Sequence, residues 1–172
     1  MVLPIQSWAT SGYEGFNFAP ALFYSKSESK DNVSGTKSEQ NVLILSLRVG
    51  VTMSGGFYLG GLYEMETTDS GSTDLTDKNL GVSAGFTSDG SFIVFHYIFN
   101  SIDEISATSE YSGSGYGLDF GHQFKISNSF SIGPQFIYRA INYNKLKTSG
   151  SESSMDLDVT TILPMISLGF TF

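Results

Sequence analysis

Six polar side chains in this sequence are spaced so that they could act together. They lie in the middle of segments in which apolar and polar residues alternate, and they are Arg48, Glu64, His96, Asp119, Gln135 and Arg139. Charges taken out of water must pair, because an isolated buried charge is too costly. The set therefore predicts an electrostatic network that plugs an interior. The alternative use of the same residues is a narrow path or gate for ions.

Other kinds of chemistry have less support in the sequence. A hydrolytic site needs a nucleophile, a base and a group that orients the base, and His122 with Ser127 or Ser129 lacks a carboxylate on the same face. The two histidines do not have metal-ligand spacing, and the acids do not follow the order of a calcium loop. We therefore predict no enzymatic activity, no bound metal and no cofactor.

Length and composition narrow the class of protein. A chain of 172 residues is normally one domain, and the absence of cysteine excludes disulfides and thiolate metal sites. The net charge of -8, with only nine Lys and Arg, makes nucleic acid an unsuitable partner. Because no apolar run reaches 18 residues, the sequence predicts no transmembrane helix.

Eight segments alternate with a period of two, which is the signature of β-strands. They cover residues 14–26, 41–53, 57–66, 80–87, 93–100, 115–124, 130–143 and 162–172. Three short turns and four long polar segments join them in strict alternation, and the long ones are residues 26–39, 67–78, 101–114 and 144–158. In each strand one face is apolar, and the charges in mid-strand fall on the other face. This placement is expected if the apolar face meets lipid, where charge is expensive.

The last segment carries a further pattern. Apolar residues occupy every second position up to a terminal aromatic, at Ile166, Leu168, Phe170 and Phe172. This pattern resembles the sorting signal of bacterial outer-membrane β-barrels, and the resemblance implies that the barrel-insertion machinery reads this strand as an assembly signal. From about Tyr13 onward the chain resembles the small barrels of the OmpA membrane domain, OmpX, OmpW and opacity-protein type.

The resemblance implies an all-β fold, an eight-stranded antiparallel up-and-down transmembrane β-barrel with short periplasmic turns and four long extracellular loops. We expect residues 1–12 to be an N-terminal periplasmic segment and residues 13–172 to form the barrel. The expected location is the outer membrane of a Gram-negative bacterium, in contact with its lipid and lipopolysaccharide. We expect a monomer with a structural or surface-interaction role, for which the sequence names no extracellular partner.

Two other functions stay open at this point. Inward positions near the long-loop end are apolar and could line an outward-opening pocket for small apolar molecules, as the resemblance to OmpW-type barrels implies; these positions are Phe23, Ile44, Leu62, Ile98, Ile137, Ile141, Leu163 and Met165. A narrow ion pore is the other function. We also predict that Arg48 lies within salt-bridge reach of Asp119 or Glu64, and that the acidic segments 66–78, 101–114 and 144–158 form an acidic external surface.

Overall fold

The computed structural model describes residues 14–30, 37–69, 74–106 and 108–172. The predicted N-terminal segment, residues 1–12, lies outside this part of the chain. No helix among the described residues is long and apolar enough to cross a membrane.

The described chain forms nine β-strands. In chain order they are β1 Gly15–Lys30, β2 Lys37–Thr52, β3 Phe57–Asp69, β4 Asp74–Ser88, β5 Ser91–Ser106, β6 Ser109–His122, β7 Phe124–Lys125, β8 Phe130–Thr148 and β9 Ser151–Thr171. The two-residue β7 follows β6 after Gln123 and pairs with the beginning of β8.

The strands close into a ring. From β1 to β6 each strand pairs with the next one in the chain, β6 also pairs with β8, β8 pairs with β9, and β9 returns to β1. All of these pairings are antiparallel. The predicted all-β antiparallel barrel is therefore confirmed.

The prediction of four long loops is wrong for the described residues. The strands continue through most of the polar segments, so that β8 and β9 are joined only by Ser149 and Gly150, whose φ angles of 49° and 85° suit a tight hairpin turn. Polar residues in these segments signal exposure to water, and they do not prevent the backbone from pairing. Long hairpins therefore project from one end of the barrel.

Side chains alternate between the two faces of the wall. The outward face carries an apolar band that begins at the short turns and ends at about the level of Tyr24, Leu43, Leu80 and Ile162, all of which are exposed. The inward face carries buried polar residues and glycines. Gly117, for example, leaves room for the side chain of Arg139, because an added Cβ would lie 2.9 Å from its Nη1 atom. The barrel is thus apolar outside, whereas its interior combines polar residues with buried apolar clusters.

The seam between the first and last strands is the shortest of the main pairings. Phe16 and Phe172 exchange backbone hydrogen bonds of 3.2 Å and 3.0 Å at the short-turn end. In the described part of the chain the ladder ends at Leu22 and Ile166, although both strands continue. If the register continued, Tyr24 would face Pro164, which has no N–H to donate. The proline therefore removes one possible hydrogen bond just beyond the point where the ladder ends.

Candidate functional site

The six polar residues singled out in the sequence come together inside the barrel, and we call them the lumen network. They are Arg48 on β2, Glu64 on β3, His96 on β5, Asp119 on β6, and Gln135 and Arg139 on β8. All six are buried, and His96 and Asp119 are 0% exposed. Strand alternation directs each of them inward, and the ring of strands brings them to a similar level.

Arg139 is the centre of the lumen network. Its Nη2 lies 2.8 Å from Glu64 Oε2, and its Nε donates to Glu64 Oε1 at 3.2 Å. Its Nη1 donates to Asp119 Oδ1 at 2.7 Å. One guanidinium therefore joins two carboxylates from different strands, with the paired geometry that arginine forms best.

Asp119 also links the other members of the network. Its Oδ2 accepts a hydrogen bond from Gln135 Nε2 at 3.0 Å and lies 3.5 Å from Arg48 Nε. The predicted reach between Arg48 and Asp119 is thus confirmed, although the 3.5 Å contact lacks hydrogen-bond geometry. Arg48 instead donates from Nη2 to Gln135 Oε1 at 3.1 Å and stacks 4.3 Å from the centre of the Phe92 ring.

His96 completes the network. Its Nε2 lies 3.2 Å from Asp119 Oδ2, and its Nδ1 lies 2.7 Å from Ser83 Oγ. With two arginines and two carboxylates, the network is formally neutral when the imidazole is neutral. The arrangement holds opposite charges together in an interior where neither could be stable alone. Below it, toward the short turns, lies a cavity of about 40 Å³ beside Tyr58 and Phe92.

A larger cavity of about 200 Å³, which we call the outer cavity, lies above the network toward the long hairpins. Four of the residues predicted for an apolar pocket line it, namely Ile44, Ile137, Ile141 and Leu163. The others are packed in two apolar clusters, with Met165 and Phe23 beside Ile44, and with Leu62 and Ile98 beside Ile141. Much of the predicted pocket is therefore filled by its own side chains.

The outer cavity also contains acids that sequence reasoning assigned to the external surface. Glu66 pairs across strands with Asp77, and Asp77 pairs with Asp103, so that the three carboxyl groups form one row. All three line the cavity. The prediction that these three acids lie on the external surface is therefore wrong. They face the cavity because β3, β4 and β5 continue beyond the apolar band.

The alternation of the sequence could have revealed two of these three acids. Glu66 ends the predicted strand 57–66 on the same face as Glu64, and Asp77 has the same parity as Ser83, so alternation places Glu66 inward and, once β4 is extended, Asp77 as well. Asp103 could not be found in this way, because β5 has a register irregularity between Ile98 and Ser101. A bulge of this kind moves later residues to the opposite face.

The row of acids makes stability depend on pH. Burial, and then the hydrogen bond and charge of Asp103, raise the pKa of Asp77 from 3.8 to about 8. Asp77 lies beyond the apolar band and faces Glu66, whose pKa is raised by burial and then by Glu64 and Asp103. A raised pKa means that the folded protein still holds the carboxyl proton at pH values at which the unfolded chain, with the ordinary pKa, has released it.

We therefore expect the contribution of the row to the melting temperature to be complete at about pH 4 and to be lost as the pH rises through about 8. Asp77→Asn should flatten this dependence, since the amide cannot lose a proton in that range. The control is Glu104→Gln, which removes a carboxylate from the opposite face of β5 and should leave the slope unchanged. Melting curves in detergent at several pH values measure how the melting temperature depends on pH. If Asp77→Asn has the same slope as the unmodified protein, the role of Asp77 is contradicted.

The structure places His122 beside a serine other than the Ser127 and Ser129 that were considered for hydrolytic chemistry. His122 Nδ1 lies 2.9 Å from Ser91 Oγ, at an exposed position near the short turns, and its ring packs on Phe124. In the part of the chain that the structure describes, no carboxylate forms a hydrogen bond or an ion pair with His122 or Ser91. Within the same residues, no group of three or more His, Cys, Asp or Glu could hold a metal ion.

Two solved structures are similar to this barrel. The crystal structure of Neisserial surface protein A is 15% identical, with a TM-score of 0.50 over 91% of this chain and 96% of that chain. The β domain of the Bordetella autotransporter Brka is 18% identical, with a TM-score of 0.38 over 91% of this chain and 70% of that chain. No protein-family model and no curated protein matches the sequence. The likeness to the Neisserial protein shows that the fold is an outer-membrane β-barrel.

Proposed function

We propose that this outer-membrane-type barrel is a non-enzymatic integral protein of a Gram-negative outer membrane, with a structural or surface-interaction role. The observation that carries the proposal is the lumen network, because its buried ion pairs cross the interior and leave no wide aqueous path. The interior of a barrel this narrow is normally filled by side chains. Function is then expected on the surfaces that remain, the lipid-facing wall and the long hairpins.

The expected contacts follow from those two surfaces. The apolar band would meet outer-membrane lipid and the lower part of lipopolysaccharide, whereas the hairpins reach beyond it into water. The assembly role of Ile166, Leu168, Phe170 and Phe172 belongs to the same proposal. It is supported by the position of Ile166, Leu168 and Phe170 on the outward face of β9, with Phe172 directly after the strand.

An electrical measurement tests whether the lumen is sealed. We expect the reconstituted protein to show no regular conductance steps in a planar bilayer. The double variant Glu64→Ala with Arg139→Ala keeps the net charge and removes the central pair, so it should produce a measurable leak. The matched control is Lys145→Ala with Glu152→Ala, which removes an exposed ion pair on the hairpins and should remain silent. Regular steps in the unmodified protein would instead support the narrow ion pore.

A second function is favoured by the outer cavity. A space of about 200 Å³ bounded by apolar and polar side chains is typical of a site for a small molecule, although it is smaller than most drug-sized sites. We therefore propose small-molecule binding at the outward end of the barrel as the second candidate. Its walls differ from the purely apolar pocket that the sequence suggested, because three of its residues are the acids in one row.

A further inference from the structure

The outer cavity has walls of two different kinds. The strands β3, β4 and β5 contribute the row Glu66, Asp77 and Asp103. The facing wall comes from β2, β8 and β9 and is largely apolar, with Ile44, Ile137, Ile141, Tyr143, Val159 and Leu163. A ligand that satisfies both walls must be charged or polar at one end and apolar at the other.

The charge of the cavity is not balanced by the residues that line it. Among the described residues of the lining, the only cation is Arg139, which is already held by Glu64 and Asp119. The three carboxyl groups of the row therefore have no counterion within the cavity. Carboxyl groups in such a position must keep a proton or attract a cation.

The polar wall is rich in hydrogen-bond acceptors, with the carboxyl oxygens of the row and the side-chain oxygen of Asn79. Asn79 donates from Nδ2 to Glu64 Oε1 at 3.1 Å, and its Oδ1 is a buried atom of the same lining without a hydrogen-bond partner. A carboxylate offers acceptors only, and an ammonium group offers three donors and no acceptor. The unpartnered oxygen of Asn79 is an observation separate from the acids, and its partner too would be a hydrogen-bond donor such as an ammonium group.

The size and composition of the cavity narrow the ligand further. An apolar cavity of about 150 Å³ is enough for benzene, so about 200 Å³ admits a molecule slightly larger. Among the described residues, the acids of the cavity do not form a group of three or more ligands placed to hold a metal ion. The apolar wall would also be left without a partner by a hydrated ion.

We propose that the outer cavity binds a small organic cation, a primary ammonium group carried on an apolar body of about benzyl size. The ammonium would lie against Asp77, Asp103 and Asn79, and the apolar body against Ile141, Val159 and their neighbours. This inference rests on the second candidate function and adds the class of ligand to it.

Binding would replace a proton with an ammonium group. Asp77 and Asp103 face each other on neighbouring strands, and two carboxyl groups so placed share one proton more readily than they hold two charges. The raised pKa of Asp77 means that this proton is present near neutral pH. When the ammonium donates to both carboxylates, the shared proton leaves to solvent. Affinity should therefore increase as the pH rises toward the pKa of Asp77.

Three probes of equal size test the proposal, namely benzylammonium, benzyl alcohol and benzoate. Each is titrated against the full chain in detergent micelles at about neutral pH, and saturable binding is measured by calorimetry and by the shift in melting temperature. We expect benzylammonium to bind at least about ten-fold more tightly than benzyl alcohol, because hydrogen bonds between charged groups are the stronger ones. Benzoate should not bind.

Matched variants separate the cavity from the surface and from the micelle. Asp103→Asn keeps the size of the side chain and should weaken benzylammonium by about ten-fold or more. Glu104→Gln makes the same change of charge on the opposite face of β5 and should have no effect. Equal weakening by the two variants would overturn the proposal, since it would indicate general charge attraction.

The probes also distinguish failure of this inference from failure of the function on which it rests. If benzyl alcohol binds as tightly as benzylammonium and Asp103→Asn has no effect, the cavity binds small molecules but the cation class is wrong. If none of the three probes saturates, both the cation class and small-molecule binding by this cavity are overturned. Neither result bears on the first proposed function, that of a structural or surface-interaction barrel whose lumen is closed by the lumen network.

Discussion

Arg139→Met is expected to lower the free energy of unfolding by about 3 to 5 kcal/mol. The substitution removes the guanidinium that holds Glu64 at 2.8 Å and Asp119 at 2.7 Å, and it leaves both acids buried. Breaking a buried pair from one side is strongly destabilising, because the remaining charge has neither water nor a partner. Reversible unfolding in urea, with the protein in lipid vesicles, measures the loss.

The double variant Arg139→Met with Glu64→Met provides the matched control. It removes one charge of each sign, and Asp119 keeps Arg48, His96 and Gln135 beside it. Apolar replacement of a whole buried pair is often nearly neutral, so the double variant should be much more stable than the single one. If the single variant is as stable as the unmodified protein, water must screen the network, and the sealed lumen would be wrong.

Phe95→Arg should destabilise the barrel by about 2 to 4 kcal/mol when it is folded in a bilayer. Phe95 is 49% exposed, points outward and lies near the middle of the apolar band, where the outer face meets lipid. An arginine at this depth must lose its hydration or deform the membrane. The same vesicle-based unfolding measures the effect.

The control for this second variant is Ile126→Arg. Ile126 is 64% exposed but belongs to the short-turn rim, where a charged side chain reaches the interface and costs about 0 to 1 kcal/mol. The comparison keeps the new residue constant and changes only its depth. Equal effects at the two positions would mean that Phe95 does not face the bilayer interior, which would contradict the membrane orientation.

Strand alternation explains why the lumen network could be predicted. In a barrel every second residue faces inward, so parity alone selects Arg48, Glu64 and Asp119 as neighbours in space. The ion-pair partner of each charge was harder to predict from the sequence. Partners come from strands that are far apart in the sequence, and the distances between them depend on the shear and register of the barrel. Arg139 as the shared centre is therefore a finding of the structure.

The ends of the strands were predicted less well, and the reason is physical. Polarity in segments such as residues 144–158 reports contact with water, and it does not report whether the backbone is paired. The bulge after Ile98 adds a second limit, because it changes the face of Asp103 without a strong local signal. The acidic half of the outer cavity escaped sequence reasoning for these two reasons together.

The short seam between β1 and β9 has a consequence for the order of folding. Every other main pairing joins strands that are near neighbours in the chain, so each can form as a local hairpin. The seam joins the two ends of the barrel, and bringing them together costs the most chain entropy. Its short ladder, which ends before Pro164, offers the fewest hydrogen bonds in return. Closure of this seam is therefore expected to be the slow, final step of folding and the first pairing lost on unfolding.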